Sequence, residues 1–149
     1  MNKTIRQFNQ TMDDIVKVKD IQESHILEPI AEGKWSIREI IGHMYYWDKF
    51  NLENMVPQMS EGAKLPSYPD HDQFNAEAIS ALEGESVESI IDYFVATRKE
   101  LIHELETINE NIRFTIGKGK RQLSVESFTN IFLRHDQHHL DQIKMKLNY

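Results

Sequence analysis

None of the 149 residues is a cysteine. That absence excludes disulfides, thiolate ligands for a metal and a cysteine nucleophile. A metal, if bound, must be held by His, Asp or Glu, and thiol chemistry must use a sulfur brought in by a substrate. No apolar run approaches the roughly 18–20 residues of a membrane span, so a membrane is not an expected partner. The start, Met1-Asn2-Lys3-Thr4-Ile5-Arg6-Gln7, lacks the apolar stretch of a signal peptide, and the cytoplasm is the expected location. A broad basic tract is also missing, and the formal net charge is −7. Phosphate binding needs clustered Lys and Arg, so nucleic acid is not the expected main partner. Alternating strand patterns are almost absent as well.

What remains is ordinary for a globular protein: 40% hydrophobic and 28% charged residues. The length points to one domain over residues 1–149, large enough to bury a core without staples. Ile5, Phe8, Met12, Ile15 and Val18 recur at helical spacing and predict a first helix from about Lys3 to Ile21. Ser24 is placed to cap a short piece through Leu27, before Pro29 and Gly33 break the pattern. Ser36-Ile37-Arg38-Glu39 reads as a capping box that starts a second helix, ending near Met55 ahead of Pro57. From Pro57 to Asp70 three prolines and Gly62 predict a long loop. A helical piece follows from about His71 to Leu82. Ser86 then recaps a strongly periodic helix from Val87 to near Asn109. The stretch from Phe114 to Leu123, around Gly117-Lys118-Gly119-Lys120, reads as a short hairpin or a loop. Ser124 caps the last helix, which runs to about Leu147. Four main amphipathic helices predict an all-α, four-helix bundle.

The most informative run is His135-Asp136-Gln137-His138-His139 in the last helix. At about 100° per residue, His135 and His139 point within about 40° of each other, one turn apart. Two imidazoles so placed can grip one metal ion. The spacing alone also allows a pair of His135 with His138. Phe128, Ile131, Phe132, His135, His139 and Ile143 fall on one side of the helix and read as its buried face. Asp136 and Asp141 read as exposed charges. A catalytic site of this kind needs a third ligand, and His25, His43, His71 and His103 are available. His43 is the best placed, beside an apolar helical face two turns after the capping box. Glu39 or Glu53 could supply a fourth ligand and close the shell.

Trp35-Ser36-Ile37-Arg38-Glu39-Ile40-Ile41-Gly42-His43, followed about ninety residues later by His135-Asp136-Gln137-His138-His139-Leu140-Asp141-Gln142-Ile143, resembles the DinB/YfiT-like superfamily. The resemblance extends over nearly the whole chain and takes in Asp72-Gln73-Phe74-Asn75. It implies a four-helix bundle with a divalent metal, often nickel or zinc, at one end. It carries the ligands over to His43, His135 and His139, and so favours His139 over His138. It implies thiol chemistry too, since relatives include transferases and isomerases that use bacillithiol, mycothiol or glutathione. Relatives often pair, so a homodimer is implied.

Three neutral imidazoles leave the ion's charge uncompensated, and such an ion lowers the pKa of what binds it. The leading expectation is a bacillithiol-type S-transferase whose partners are a small thiol co-substrate and an electrophile. The alternatives are a metal-dependent hydrolase and a non-catalytic metal-binding or stress-response protein. Gln142 and Asp48 are the residues expected to orient ligands or hold a water. Arg38, Lys118, Lys120 and Arg121 are the cations available for the carboxylates of an acidic thiol. Tyr46 and Trp47 are read as packing residues.

Overall fold

The computed structural model describes residues 2–148. The stripe at the start forms α1 (Lys3–Val16), capped by the Asn2 side chain and prolonged by a tighter turn over Lys17–Asp20. Ile5, Phe8, Met12, Ile15 and Val18 are all buried, and each such side chain contributes roughly 1.5–3 kcal/mol. The short α2 (Glu23–Leu27) takes Gln22 as its cap residue, without a side-chain bond, in place of the expected Ser24.

α3 (Ile37–Phe50) begins at the predicted capping box: the Ser36 hydroxyl accepts from the Glu39 N–H, and the Glu39 carboxylate accepts from the Ser36 N–H. Beyond Phe50 the helix widens into a π turn, Asn51–Met55, and closes with a 3₁₀ turn, Val56–Gln58. The prolyl-rich segment after it is a loop, as expected, but it holds a two-residue strand, β1 (Lys64–Leu65). α4 (His71–Ala81) and α5 (Val87–Thr107) follow, each with a side-chain cap, from Asp70 and Ser86 respectively. β2 (Thr115–Ile116) pairs with β1 in parallel, Lys64 facing Thr115 and Leu65 facing Ile116. The 114–123 stretch is also closed on itself by an antiparallel bridge between Phe114 and Leu123. It is therefore a hairpin-like turn whose outer edge ties down the long loop. α6 (Val125–Leu147) completes the chain.

The four long helices α1, α3, α5 and α6 form the bundle. α3 packs along α5, α1 against α5 and α6, and α4 lies on α3. Gly42 meets the end of α4 closely: a Cβ there would lie 2.7 Å from Leu82 Cδ1, and that side chain would have to shift. The close approach matters because α4 carries two side chains of the site described below. Among the described residues no helix is long and apolar enough to cross a membrane.

The buried face of α6 differs from the predicted one. It is built on Phe128, Thr129, Leu133, Asp136, Leu140 and Ile143, and Ile131 is 41% exposed. The helix is rotated so that Asp136 points into the bundle and the 131/135 side looks into a cavity. The reason is a buried cation. Arg98, on α5, is 0% exposed. Its guanidinium donates to Asp48 on α3 at 2.6 and 3.1 Å, to Asp136 on α6 at 2.7 and 3.1 Å, and to the Phe8 carbonyl of α1 at 3.0 Å. It also stacks on the Phe8 ring, 3.6 Å from the centroid. One side chain thus joins all four helices of the bundle.

Candidate metal centre

His43 projects from the middle of α3, and His135 and His139 from successive turns of α6. Their Nε2 atoms converge: His43 to His135 is 2.9 Å and His139 to His135 is 3.1 Å. All three offer a ligand atom within 4.8 Å of the others. The tetrahedral zinc–nitrogen bond length of about 2.0–2.1 Å corresponds to a nitrogen–nitrogen separation of roughly 3.3 Å, only a few tenths wider than these distances. His43 and His139 are 5% and 6% exposed, and His135 is half-buried.

The hydrogen bonds behind the rings decide which nitrogens carry protons. Asn75 of α4 presents one side-chain atom both to Trp47 Nε1, at 2.9 Å, and to His43 Nδ1, at 2.8 Å. An indole N–H only donates, so that atom is the amide oxygen and His43 Nδ1–H must donate to it. Gln142 Oε1 likewise accepts from His139 Nδ1 at 2.8 Å. In the neutral rings Nε2 of both histidines is therefore a bare lone pair aimed at His135. A single N–H on His135 can satisfy one of them and leaves the other facing nitrogen. A shared cation satisfies all three, so the donor set fits a divalent metal on chemical grounds.

The rings are held neutral, as a metal ligand must be. Burial lowers His43 to about 4, helped by His139, and His135 to about 3, helped by His139 and His43. Burial lowers His139 too, against the pull of Gln142. These groups bind protons in the unfolded chain near pH 6.5 but not in the folded one. Stability of the metal-free protein is therefore complete above about pH 6.5 and falls as the pH drops toward about 4. Urea titrations of the metal-free protein from pH 7.5 to 4.5 should show a declining midpoint. A flat profile would contradict the buried neutral imidazoles.

Asn75 and Gln142 fix both ring orientation and tautomer. Asn75→Ala and Gln142→Ala should each weaken metal binding by roughly 10–100-fold, read by competition with a chelator.

A cavity of about 260 Å³ opens onto the cluster, lined by His43, His135, Trp47, Tyr68, His71, Asn75, Ile131 and Phe132. Tyr68 comes from the long loop and donates to Asn51 Oδ1 of the π turn at 2.7 Å, which holds its ring over Trp47 and Phe50. Trp47 thus both packs and walls the cavity.

Several expected residues lie elsewhere. Asp48 touches Arg98, not a histidine, because its helix position faces the bundle interior; burial raises its carboxyl above the ordinary range in spite of Arg98. Asp136 is 2% exposed, with Arg98 as its partner, and is not a surface charge. Arg38 donates to the Leu82 and Glu85 carbonyls at the α4–α5 junction. Lys118, Lys120 and Arg121 are exposed on the 117–121 turn, outside the cavity lining. Glu39 is occupied in its capping box and Glu53 is exposed. Neither joins the cluster. His138 is exposed beside His139, and His25 and His103 are exposed. His71, one of the histidines available as a third ligand, stands outside the cluster and lines the cavity instead. Asn75 received no role of its own from the sequence, since nothing local marks a short helix as lying against a distant histidine.

A helical bundle with three convergent imidazoles on two of its helices carries a cluster that could hold a divalent metal. The chain belongs to the DinB superfamily, whose family model matches residues 7–143. Its fold is similar to that of YfiT from Bacillus subtilis, described as a probable metal-dependent hydrolase with an unusual four-helix bundle topology. The TM-score is 0.68 at 15% identity, over 97% of this chain and 83% of that one. No curated protein matches the sequence.

Proposed function

We propose that the protein is a divalent-metal enzyme of the S-transferase type, joining a low-molecular-weight thiol such as bacillithiol to an electrophile. The observation that carries this reading is the three-imidazole cluster, two of whose rings, His43 and His135, line an aromatic cavity without a cysteine, serine or lysine. His43, His135 and His139 would hold the ion, with nickel or zinc suited to the all-nitrogen donors. A divalent ion there supplies Lewis acidity, lowering the pKa of a thiol or a water bound to it. Asn75 and Gln142 keep the ligand lone pairs aimed. Trp47, Tyr68, Phe132 and Ile131 seat the apolar part of the electrophile and exclude water, which favours thiol attack over hydrolysis.

A second reading, a metal-dependent hydrolase, is supported by one feature of the cavity. No Lys or Arg lines it, whereas bacillithiol-type thiols carry carboxylates. The name given to YfiT points the same way. The two readings separate in one experiment. Zinc-loaded protein is incubated with 1-chloro-2,4-dinitrobenzene and with p-nitrophenyl acetate, with and without bacillithiol. Turnover that requires the thiol, and that is lost in His139→Ala, supports the transferase. Ester cleavage with water alone, unaffected by thiol, supports the hydrolase.

A further inference from the structure

One titratable side chain in the aromatic cavity belongs neither to the histidine cluster nor to the hydrogen bonds behind it. His71 is the first residue of α4, exposed, with its ring edge-on to Trp47 at 5.2 Å and 78°. The other polar groups lining the cavity are committed. His43 and His135 turn Nε2 into the cluster. The Trp47 N–H is given to Asn75, and Asn75 Oδ1 already accepts twice. The Asn75 NH₂ can donate a hydrogen bond but cannot surrender a proton. The Tyr68 hydroxyl is given to Asn51, and burial pushes its pKa well above the ordinary phenol value. Ile131 and Phe132 have no polar side-chain atoms. Neither ring nitrogen of His71 has a hydrogen-bond partner among the described residues, so His71 alone is free to exchange a proton with a molecule in the cavity.

We propose that His71 is a catalytic residue that delivers a proton to the leaving oxygen of the electrophile, and that the electrophiles suited to this site are therefore those with an oxygen leaving group, epoxides in the first place. This rests on the thiol-transferase reading above. In the step, the thiolate sulfur bonds an epoxide carbon, the carbon–oxygen bond breaks, and its electron pair passes to the oxygen. That oxygen takes the proton from a ring N–H of His71. The proton the thiol lost on becoming thiolate returns to His71 through solvent. Thiol plus epoxide gives a β-hydroxy thioether, and no other reactant is consumed. The placement has a physical logic. His43 and His135 line the same cavity as His71, which is exposed, so one bound substrate can meet both the nucleophile held at the cluster and the acid.

The test compares two electrophiles in zinc-loaded protein with 2-mercaptoethanol as the thiol. Styrene oxide leaves behind an alkoxide that needs a proton; 1-chloro-2,4-dinitrobenzene releases chloride, which does not. His71→Ala and His71→Gln should lower kcat for styrene oxide by about 10²-fold. That loss should exceed the loss with the aryl chloride by at least about tenfold, with zinc content equal to the parent's. A readout independent of turnover is available from the unreactive hydrated analogue, 1-phenyl-1,2-ethanediol, which should shift the His71 ring resonances in the parent protein. Equal losses with both electrophiles would mean that His71 only shapes the cavity, and an undiminished epoxide reaction would remove it from the chemistry. If the parent conjugates neither electrophile, the thiol-transferase reading falls and takes this role with it, a pattern distinct from the other two.

Discussion

Alanine at His135 or His139 should take the protein from about one equivalent of divalent metal to almost none, and alanine at His43 should do nearly the same. Each ring supplies one of three Nε2 donors that sit 2.9 and 3.1 Å apart around a common point, and two nitrogens cannot hold an open site tightly. Elemental analysis of tag-free protein reads the effect directly. Thermal unfolding reads it a second way. Free zinc at a thousandfold excess over its dissociation constant stabilises the folded state by about 4 kcal/mol. For a chain of this size that raises Tm by roughly 10 °C. The parent should show that rise and the three variants should not. His138→Ala should keep the metal, since His138 is exposed and outside the cluster. Unchanged metal content in all three ligand variants would remove the site and the function built on it.

The second large effect concerns Arg98. Arg98→Met should lower stability by about 3–5 kcal/mol, because it leaves Asp48 and Asp136 buried without their counter-charge. The side chain is fully enclosed, and four of its hydrogen bonds go to the two carboxylates. The triple variant Arg98→Met, Asp48→Leu, Asp136→Leu removes the orphaned charges along with the cation and should recover much of that loss. Denaturant midpoints for the two variants decide the matter. A triple variant no better than the single one would show that the helices need this network for packing and not merely for charge balance. Metal affinity should fall in Arg98→Met as well. Asp48 lies five residues after His43 on α3, and Asp136 directly follows His135 on α6, so Arg98 locks together the two helices that carry the ligands.

The buried network left a trace in the sequence that a hydrophobic reading passes over. Phe94, Arg98, Leu101 and Leu105 follow one face of α5; Ile41, Met44, Asp48, Asn51 and Met55 follow one face of α3 and its continuation; Thr129, Leu133, Asp136, Leu140 and Ile143 follow one face of α6. Each stripe has helical spacing and carries one charged residue where an apolar one belongs. Reading Asp136 as a surface charge also misplaced the α6 face, which is why Ile131 was expected in the core and is found at the cavity mouth. The histidine pair was legible because four residues make one turn, and the capping box at Ser36 because it is closed within three residues. The two-residue pairing of β1 with β2 was not legible: its partners are some fifty positions apart, and neither segment has a strand pattern of its own.

Helix content, the starts of α3, α5 and α6, the one-turn spacing of His135 and His139 in the last helix and the absence of any cysteine in the sequence were determined by the sequence alone. All of these depend on interactions within a few residues of chain, where spacing and side-chain chemistry suffice. Only the tertiary structure decided that Asn75 sets the His43 tautomer, that Gln142 does the same for His139, that Arg98 is the shared partner of Asp48 and Asp136, and that His71 lines one cavity with His43 and His135. Apart from the Gln142–His139 pair, where the spacing allowed contact but not its direction, the hydrogen-bonded partners meet across helices 32 to 50 residues apart in sequence, and no local pattern encodes which distant face a side chain will find.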